Sequence, residues 1–133
     1  MKETMIATWK MAYDGIHKGM QVLHEQGIQE AIVTAIQDVE QREEFVSVGK
    51  GGLPNIAGQV QLDAAYMDGS TLNFGGVIEV ENISSAIEVA ASLCGKHCNC
   101  LLAGSGAEAY AQTNGFAFAN NLTKASKKRY EKA

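Results

Sequence analysis

The sequence predicts an α+β fold in which helices cover a largely antiparallel sheet, and two observations predict it. Apolar residues recur at helical spacing in two consecutive stretches before residue 40, and an alternating hairpin pattern follows between Gln59 and Val80. Two helices in succession ahead of a hairpin break the strict alternation of strand and helix that a doubly wound parallel sheet requires.

In chain order, Met5-Ile6-Ala7-Thr8-Trp9 is a short apolar opening with strand character that ends in the only tryptophan. From Lys10 to about Gln26, Ile16, Met20 and Leu23 recur at helical spacing, and Gly27 is placed to stop the helix. Ile28, Ala31, Ile32, Ala35, Ile36 and Val39 then form one packing stripe of a second helix, with Gln29, Glu30, Gln37 and Glu40 facing away. Glycines at 49, 51 and 52 mark a tight loop, and Pro54-Asn55 turns the chain into the first long strand.

Val60, Leu62, Ala64 and Tyr66 share one strand face; Gln59, Gln61, Asp63, Ala65 and Met67 share the other. Asp68-Gly69 suits a tight turn, after which Leu72, Phe74, Ile78 and Val80 are expected on one face. Ser85 and Glu88 form a capping-box pattern for a helix that buries Ile87, Ala90, Ala91 and Cys94 and ends at Gly95. Cys98 to Ala103 is a short strand, and Ser105 with Glu108 opens a further helix that Asn114-Gly115 can end. The basic end from Lys124 reads as an exposed helix or a linker. Because the hairpin is small or apolar on both faces, at Ala64, Ala65, Gly75, Gly76 and Val77, something is expected to pack on each side. The helices can cover only one, so a partner sheet is missing.

Composition narrows the function classes. The chain of 133 residues fits one domain segment, 1–133, and with 46% hydrophobic and 20% charged residues it has the make-up of a soluble, cytoplasmic protein. No apolar run approaches the roughly 20 residues a membrane span needs, so no membrane partner is expected. A net charge of -4 argues against nucleic acid, and Lys127-Lys128-Arg129 reads as a solvated helix or fraying tail.

The motifs that imitate sites have plainer readings beside them. Gly104-Ser105-Gly106 with Ala109 resembles a dinucleotide loop, but the acidic residue expected about 20 positions later is missing, so a tight strand-to-helix turn is favoured and no cofactor is expected. Cys94, His97, Cys98 and Cys100 lack the paired spacing of a structural zinc site, and core packing is favoured over a metal. Asp63 and Asp68 could form a carboxylate pair, but turn and loop pinning is favoured. Trp9 has a core reading and a pocket-mouth reading. No serine elbow or comparable nucleophile is present.

Thr8-Trp9, S-V-G-K-G-G-L-P-N at 47–55, L-D-A-A-Y-M-D-G at 62–69, the helix at 84–94, L-L-A-G-S-G-A-E-A-Y-A at 101–111 and Thr113-Asn114-Gly115-Phe116 together resemble one family, over about residues 5–123. It is the α-chain portion of glycosylasparaginase, within the threonine asparaginase and isoaspartyl peptidase group of N-terminal-nucleophile hydrolases. The resemblance implies a four-layer αββα sandwich and a precursor that cuts itself into α and β chains. It further implies an attacking N-terminal threonine on the β chain, aspartate released from N4-(N-acetylglucosaminyl)-asparagine, and an (αβ)2 assembly. Residue by residue it carries over Trp9 alone, as a substrate-binding residue, with no catalytic residue and no metal ligand in this chain. The family's His-Asp-Thr cleavage signature does not occur in residues 1–133. Gln26-Gly27 and Glu30 stand where the family often has a paired glycine and an Asp. The competing readings are an L-asparaginase or isoaspartyl peptidase of the same fold, and a stand-alone fragment with a binding or structural role.

Overall fold

The computed structural model describes residues 2–132. A short 3-10 turn, Lys10–Ala12, leads into helix α1, Tyr13–Glu40, followed by strands β1, Leu62–Met67, and β2, Phe74–Val80. Helix α2, Ala86–Leu93, strand β3, Leu101–Ala103, and helices α3, Gly104–Thr113, and α4, Lys124–Tyr130, complete the order. The α+β class stands, but the sheet is mixed. β1 pairs with β2 antiparallel, while β3 joins β2 in parallel through the α2 crossover, in the order β1-β2-β3.

Helix α1 is two arms broken at Gly27, whose φ of 87° and ψ of 179° are not helical. The arms fold back on each other at very close range, because small residues face one another across the hairpin. A Cβ on Gly15 would lie 2.2 Å from the Ala35 carbonyl oxygen, and one on Gly19 would lie 2.5 Å from that of Ala31. This small-residue contact is what the expected single stripe missed. Ala31 and Ala35 are taken up by the first arm, while Val33, outside the stripe, packs against Tyr66, Ile87 and Ala91. Ile28 is left 69% exposed, and Glu40, expected to face away, is only 2% exposed.

The hairpin departs from ideal alternation in two places. A six-residue loop, not a two-residue turn, joins the strands: the Asp68 side chain accepts from Ser70 N and Oγ and from Thr71 Oγ1, and Asp68 N donates to the Asn73 carbonyl. A bulge then shifts the register between Leu62↔Val80 and Ala64↔Val77, with Glu79 at a φ of 55°. One extra residue reverses which side chains point inward. Val77 and Val80 are buried, and Phe74 and Ile78, expected on the core face with Val80, are exposed.

The main core lies between one sheet face and the helices α2 and α3, built on Leu62, Val77, Val80, Val89, Ala90, Leu93, Ala107 and Ala111. Gly75 lets α2 sit directly on β2, since a Cβ there would be 2.2 Å from the Ala90 carbonyl oxygen. The opposite face is bare. Ala65, Gly76 and Leu101 are in register across it, Met67 lies beside Phe74 and Ile78 beside Ala103, and Met67, Phe74, Ile78 and Leu101 are all exposed. The uncovered apolar face expected from the sequence is therefore present.

At the termini of the elements, Ser85 caps α2 by accepting from Glu88 N, as expected. Ser105 does not cap α3. It lies inside that helix, whose N-cap is Ala103, and Glu108 instead accepts from Glu81 N at 2.9 Å. The expected strand from Cys98 contracts to Leu101–Ala103, because Asn99 at a φ of 57° breaks extension. Met5–Trp9 forms no strand, since no neighbouring strand among the described residues offers it a ladder of hydrogen bonds.

Gly15→Ala should lower stability by about 2–4 kcal/mol, because the added carbon meets backbone that cannot rotate away. Thermal and urea unfolding check this. A loss below about 0.5 kcal/mol would show that the arms are not held at this separation.

Candidate functional site

Around Trp9 the described residues enclose an open groove of about 750 Å³. One wall is the segment Met5–Trp9 with Met11 and Ile16; the other is Ile32, Ile36 and Val39 of the second α1 arm, closed at the end by Ser47 and Val48. Side-chain polarity comes from the hydroxyls of Thr8 and Ser47 and the indole N–H of Trp9, and no charged residue among those described lines it. Trp9 is 71% exposed, so the core reading of this residue fails within this chain and the indole borders the groove. Its backbone is extended, and its carbonyl accepts from Ala12 N at 3.0 Å, which ties it to the start of the following helix.

The positions of the groove walls rest on charge as well as on small residues. Asp38, on the second arm with its side chain 3% exposed, accepts on Oδ1 from Lys18 of the first arm and from Arg42 Nη2 at 3.3 Å, while Arg42 Nε lies 3.1 Å from Oδ2 as an ion-pair contact. Arg42 also reaches Asp14 at 2.9 Å, so the clasp spans the hairpin. Burial raises the Asp38 pKa, but the hydrogen bonds from Lys18 and Arg42 outweigh it and hold the carboxyl below its ordinary range.

Glu40 ends the same helix. It accepts from Ser85 Oγ at 2.6 Å and from Ile87 N at 3.1 Å, putting a carboxylate at the N-terminus of α2. Burial nonetheless pushes its pKa up, because desolvation exceeds the help from those donors. The glycine loop leans on this residue: Lys50 N donates to the Glu40 carbonyl at 2.7 Å, and Gly49 at a φ of 66° passes so close that a Cβ would lie 2.1 Å from that oxygen. Gly51 N donates to the Asn121 carbonyl at 2.8 Å, joining the loop to the chain's last third.

The other sequence candidates are dispersed. Asp63 accepts from Glu79 N at 2.8 Å and pins the bulge, while Asp68 closes the hairpin loop, its pKa lowered by the Ser70 bonds. The two aspartates thus do the pinning that was favoured for them. Cys94 packs against the Val33, Tyr66, Ile87 and Ala91 cluster, as the core reading expected, whereas Cys100 is half-buried and Cys98 is exposed; all three are free. Among the described residues no group of three or more His, Cys, Asp or Glu could hold a metal. Gly104-Ser105-Gly106 is the first turn of α3, which follows β3 with no intervening turn, and after α3 an isolated bridge, Ile83↔Phe118, is the extended pairing among the described residues. Sequence reasoning missed Asp38 and Glu40 as buried acids. The hairpin that brings Lys18 onto Asp38 was signalled by Gly15 and Gly19 matched with Ala31 and Ala35, two pairs at the same four-residue spacing.

The family model described as asparaginase matches residues 2–133. This chain belongs to the asparaginase family. Among its relatives, the N(4)-(beta-N-acetylglucosaminyl)-L-asparaginase of Elizabethkingia miricola is 33% identical over 98% of this chain and 38% of that protein. The isoaspartyl peptidase/L-asparaginase of Xenopus laevis is 30% identical over 98% of this chain and 43% of its own length. The plant-type L-asparaginase of Pyrococcus horikoshii is 32% identical over 92% of this chain and 36% of its length. The chain therefore spans well under half of these relatives.

The two buried acids should respond to pH with opposite signs. Glu40, raised above its ordinary 4.5, contributes stability that is complete below that value and is lost as pH rises through its folded pKa. Asp38, lowered from 3.8, contributes stability that is present above that value and is lost as pH falls through its folded pKa. Glu40→Gln should remove the decline above pH 4.5 and Asp38→Asn the decline on the acid side. Urea unfolding between pH 3 and 8 reads both, and an unchanged profile in either variant would refute that assignment.

Proposed function

We propose that this chain is the α portion of an amidohydrolase that cleaves the side-chain amide of N4-(N-acetylglucosaminyl)-asparagine and releases aspartate. The observation that carries the reading is the groove beside Trp9, open and free of charged side chains. A pyranose ring presents C–H faces that stack on an indole, whereas free asparagine carries nothing on its amide nitrogen to fill the groove and an isoaspartyl peptide would bring a charged carboxylate into it. The Elizabethkingia relative, named for the glycosylated substrate and matching 98% of this chain, supports the same choice.

In this reading the nucleophile is the N-terminal threonine of a β chain produced by self-cleavage of the precursor. Its hydroxyl attacks the amide carbon while its own α-amino group takes the proton, and the amide C–N bond breaks to release the amino sugar. Water then hydrolyses the resulting ester. The β chain also supplies a second sheet against Ala65, Met67, Phe74, Ile78 and Leu101, completing an αββα sandwich, and the pair assembles as (αβ)2 in the cytoplasm. The bare apolar face and the short share of the relatives' length both support such a completion. No residue of this chain is assigned a covalent step, and the chemistry calls for no metal or cofactor.

A second reading, hydrolysis of L-asparagine or isoaspartyl peptides on the same fold, is favoured by the Xenopus relative, which matches the chain as extensively. The discriminating experiment offers the full-length protein glycosylated asparagine, asparagine and an isoaspartyl dipeptide, and measures aspartate release. The glycosylated amide should show the highest kcat/KM, and intact mass should reveal two chains, the second beginning with threonine. Preference for the isoaspartyl dipeptide would install the second reading; a single uncut, inactive chain would remove both. Trp9→Phe should raise KM for the glycosylated substrate about fivefold, on the order of 1 kcal/mol, with little change in Tm. A collapse of Tm with unchanged KM would return Trp9 to a purely structural role.

A further inference from the structure

Glu40 stands where three parts of the molecule meet, and the reaction proposed above makes no use of it. Its carboxylate fixes the end of α1 to the start of α2 through Ser85 Oγ and Ile87 N. Its carbonyl receives Lys50 N, and Gly49 lies against it with no room for a side chain. The adjoining residue Val39 and the loop residues Ser47 and Val48 are groove wall. Ser47 Oγ in turn lies 4.0 Å from Met11 Sδ, two residues beyond Trp9. A chain of contacts thus runs from the buried carboxylate to the wall that faces the indole and on to the turn that carries it.

We propose that Glu40 is a positioning residue for the Trp9 groove: its bonds to Ser85 and Ile87 set the separation between the Val39–Val48 wall and the segment bearing Trp9. The inference concerns the shape of the groove and holds whichever amide the protein cleaves. Sites that must hold a geometry depend on supporting groups of this kind, locked by burial and fully hydrogen-bonded. Anchoring for stability alone would behave differently, because it would act on the whole fold without acting on the groove in particular.

Acrylamide quenching of Trp9 in the full-length protein separates the two, with the Trp9 signal isolated by subtracting the same background carrying Trp9→Phe. Glu40→Ala and Ser85→Ala should each change the quenching constant roughly twofold through local loosening of the wall. Glu40→Gln, which keeps an acceptor for Ile87 N and a partner for Ser85, should stay near the parent value. Val89→Ala, in the core between α2 and the sheet, serves as the control: it should lower Tm and leave Trp9 quenching unchanged. If Glu40→Ala and Ser85→Ala lower Tm yet match Val89→Ala in quenching, the positioning role is overturned. Should Glu40→Ala fail to fold, the comparison of Ser85→Ala with Val89→Ala decides in the same way.

Discussion

A carboxylate with 2% exposure is costly to keep in a protein, and the Glu40 junction is organised around that cost. Removing a carboxylate from water costs several kcal/mol, and hydrogen bonds to a charged group return about 1.5–3 kcal/mol each. The Ser85 hydroxyl and the Ile87 amide supply two such bonds, and the second is an N–H that the start of a helix leaves without an internal partner. Those donors do not offset the whole cost, so burial leaves the Glu40 pKa above its ordinary value. What the arrangement secures is register. The end of α1 cannot slide along α2 without breaking a buried bond, and Gln41, donating to the Ser84 carbonyl at 2.7 Å, repeats the constraint one residue later.

With that end fixed, the remaining approach distances are set by side chains that are absent. Gly15 and Gly19 bring the arms of α1 together, Gly75 brings α2 onto the sheet, and Gly49 brings the loop onto Glu40. In each case a single methyl would strike backbone atoms. Backbone cannot move aside as a side chain can, so these contacts define distances sharply. Across the hairpin the Asp38 clasp adds direction to closeness, since Lys18 and Asp14 lie on one arm and Arg42 follows the other. The groove wall formed by Ile32 and Ile36 therefore has a determined offset from Ile16.

The sequence disclosed patterns governed by local chemistry and concealed those settled by contact. Gly27 as a break, Ser85 as a cap, Gly115 past the end of α3 and a hairpin with one face uncovered were legible because turns, caps and alternation act within a few residues. The inward face of β2 was not legible, because the bulge at Glu79 leaves no mark in the hydrophobic pattern and exchanges Ile78 for Val77. Glu40 looked like a solvated residue on a polar face, for its burial depends on Ser85, which is 45 residues away. Trp9 was balanced between core and pocket for the same reason: only the position of the second arm shows that none of the described residues covers it.

Two surfaces thus stand without a cover, the groove at Trp9 and the sheet face at Met67, Phe74, Ile78 and Leu101. An exposed apolar face on a three-stranded sheet invites association, and soluble proteins seldom leave one open. On the proposed reading both are completed by the second chain, and the division of labour follows from charge. The described groove residues carry none, so on that reading they suit the sugar and not the amino-acid end of the substrate. That end bears an ammonium and a carboxylate, which need paired partners once removed from water. Those partners must then lie with the nucleophile, on the same side of the scissile amide. This chain would shape the leaving-group pocket, and specificity for what is attached to the amide nitrogen would depend on how firmly its far wall is held.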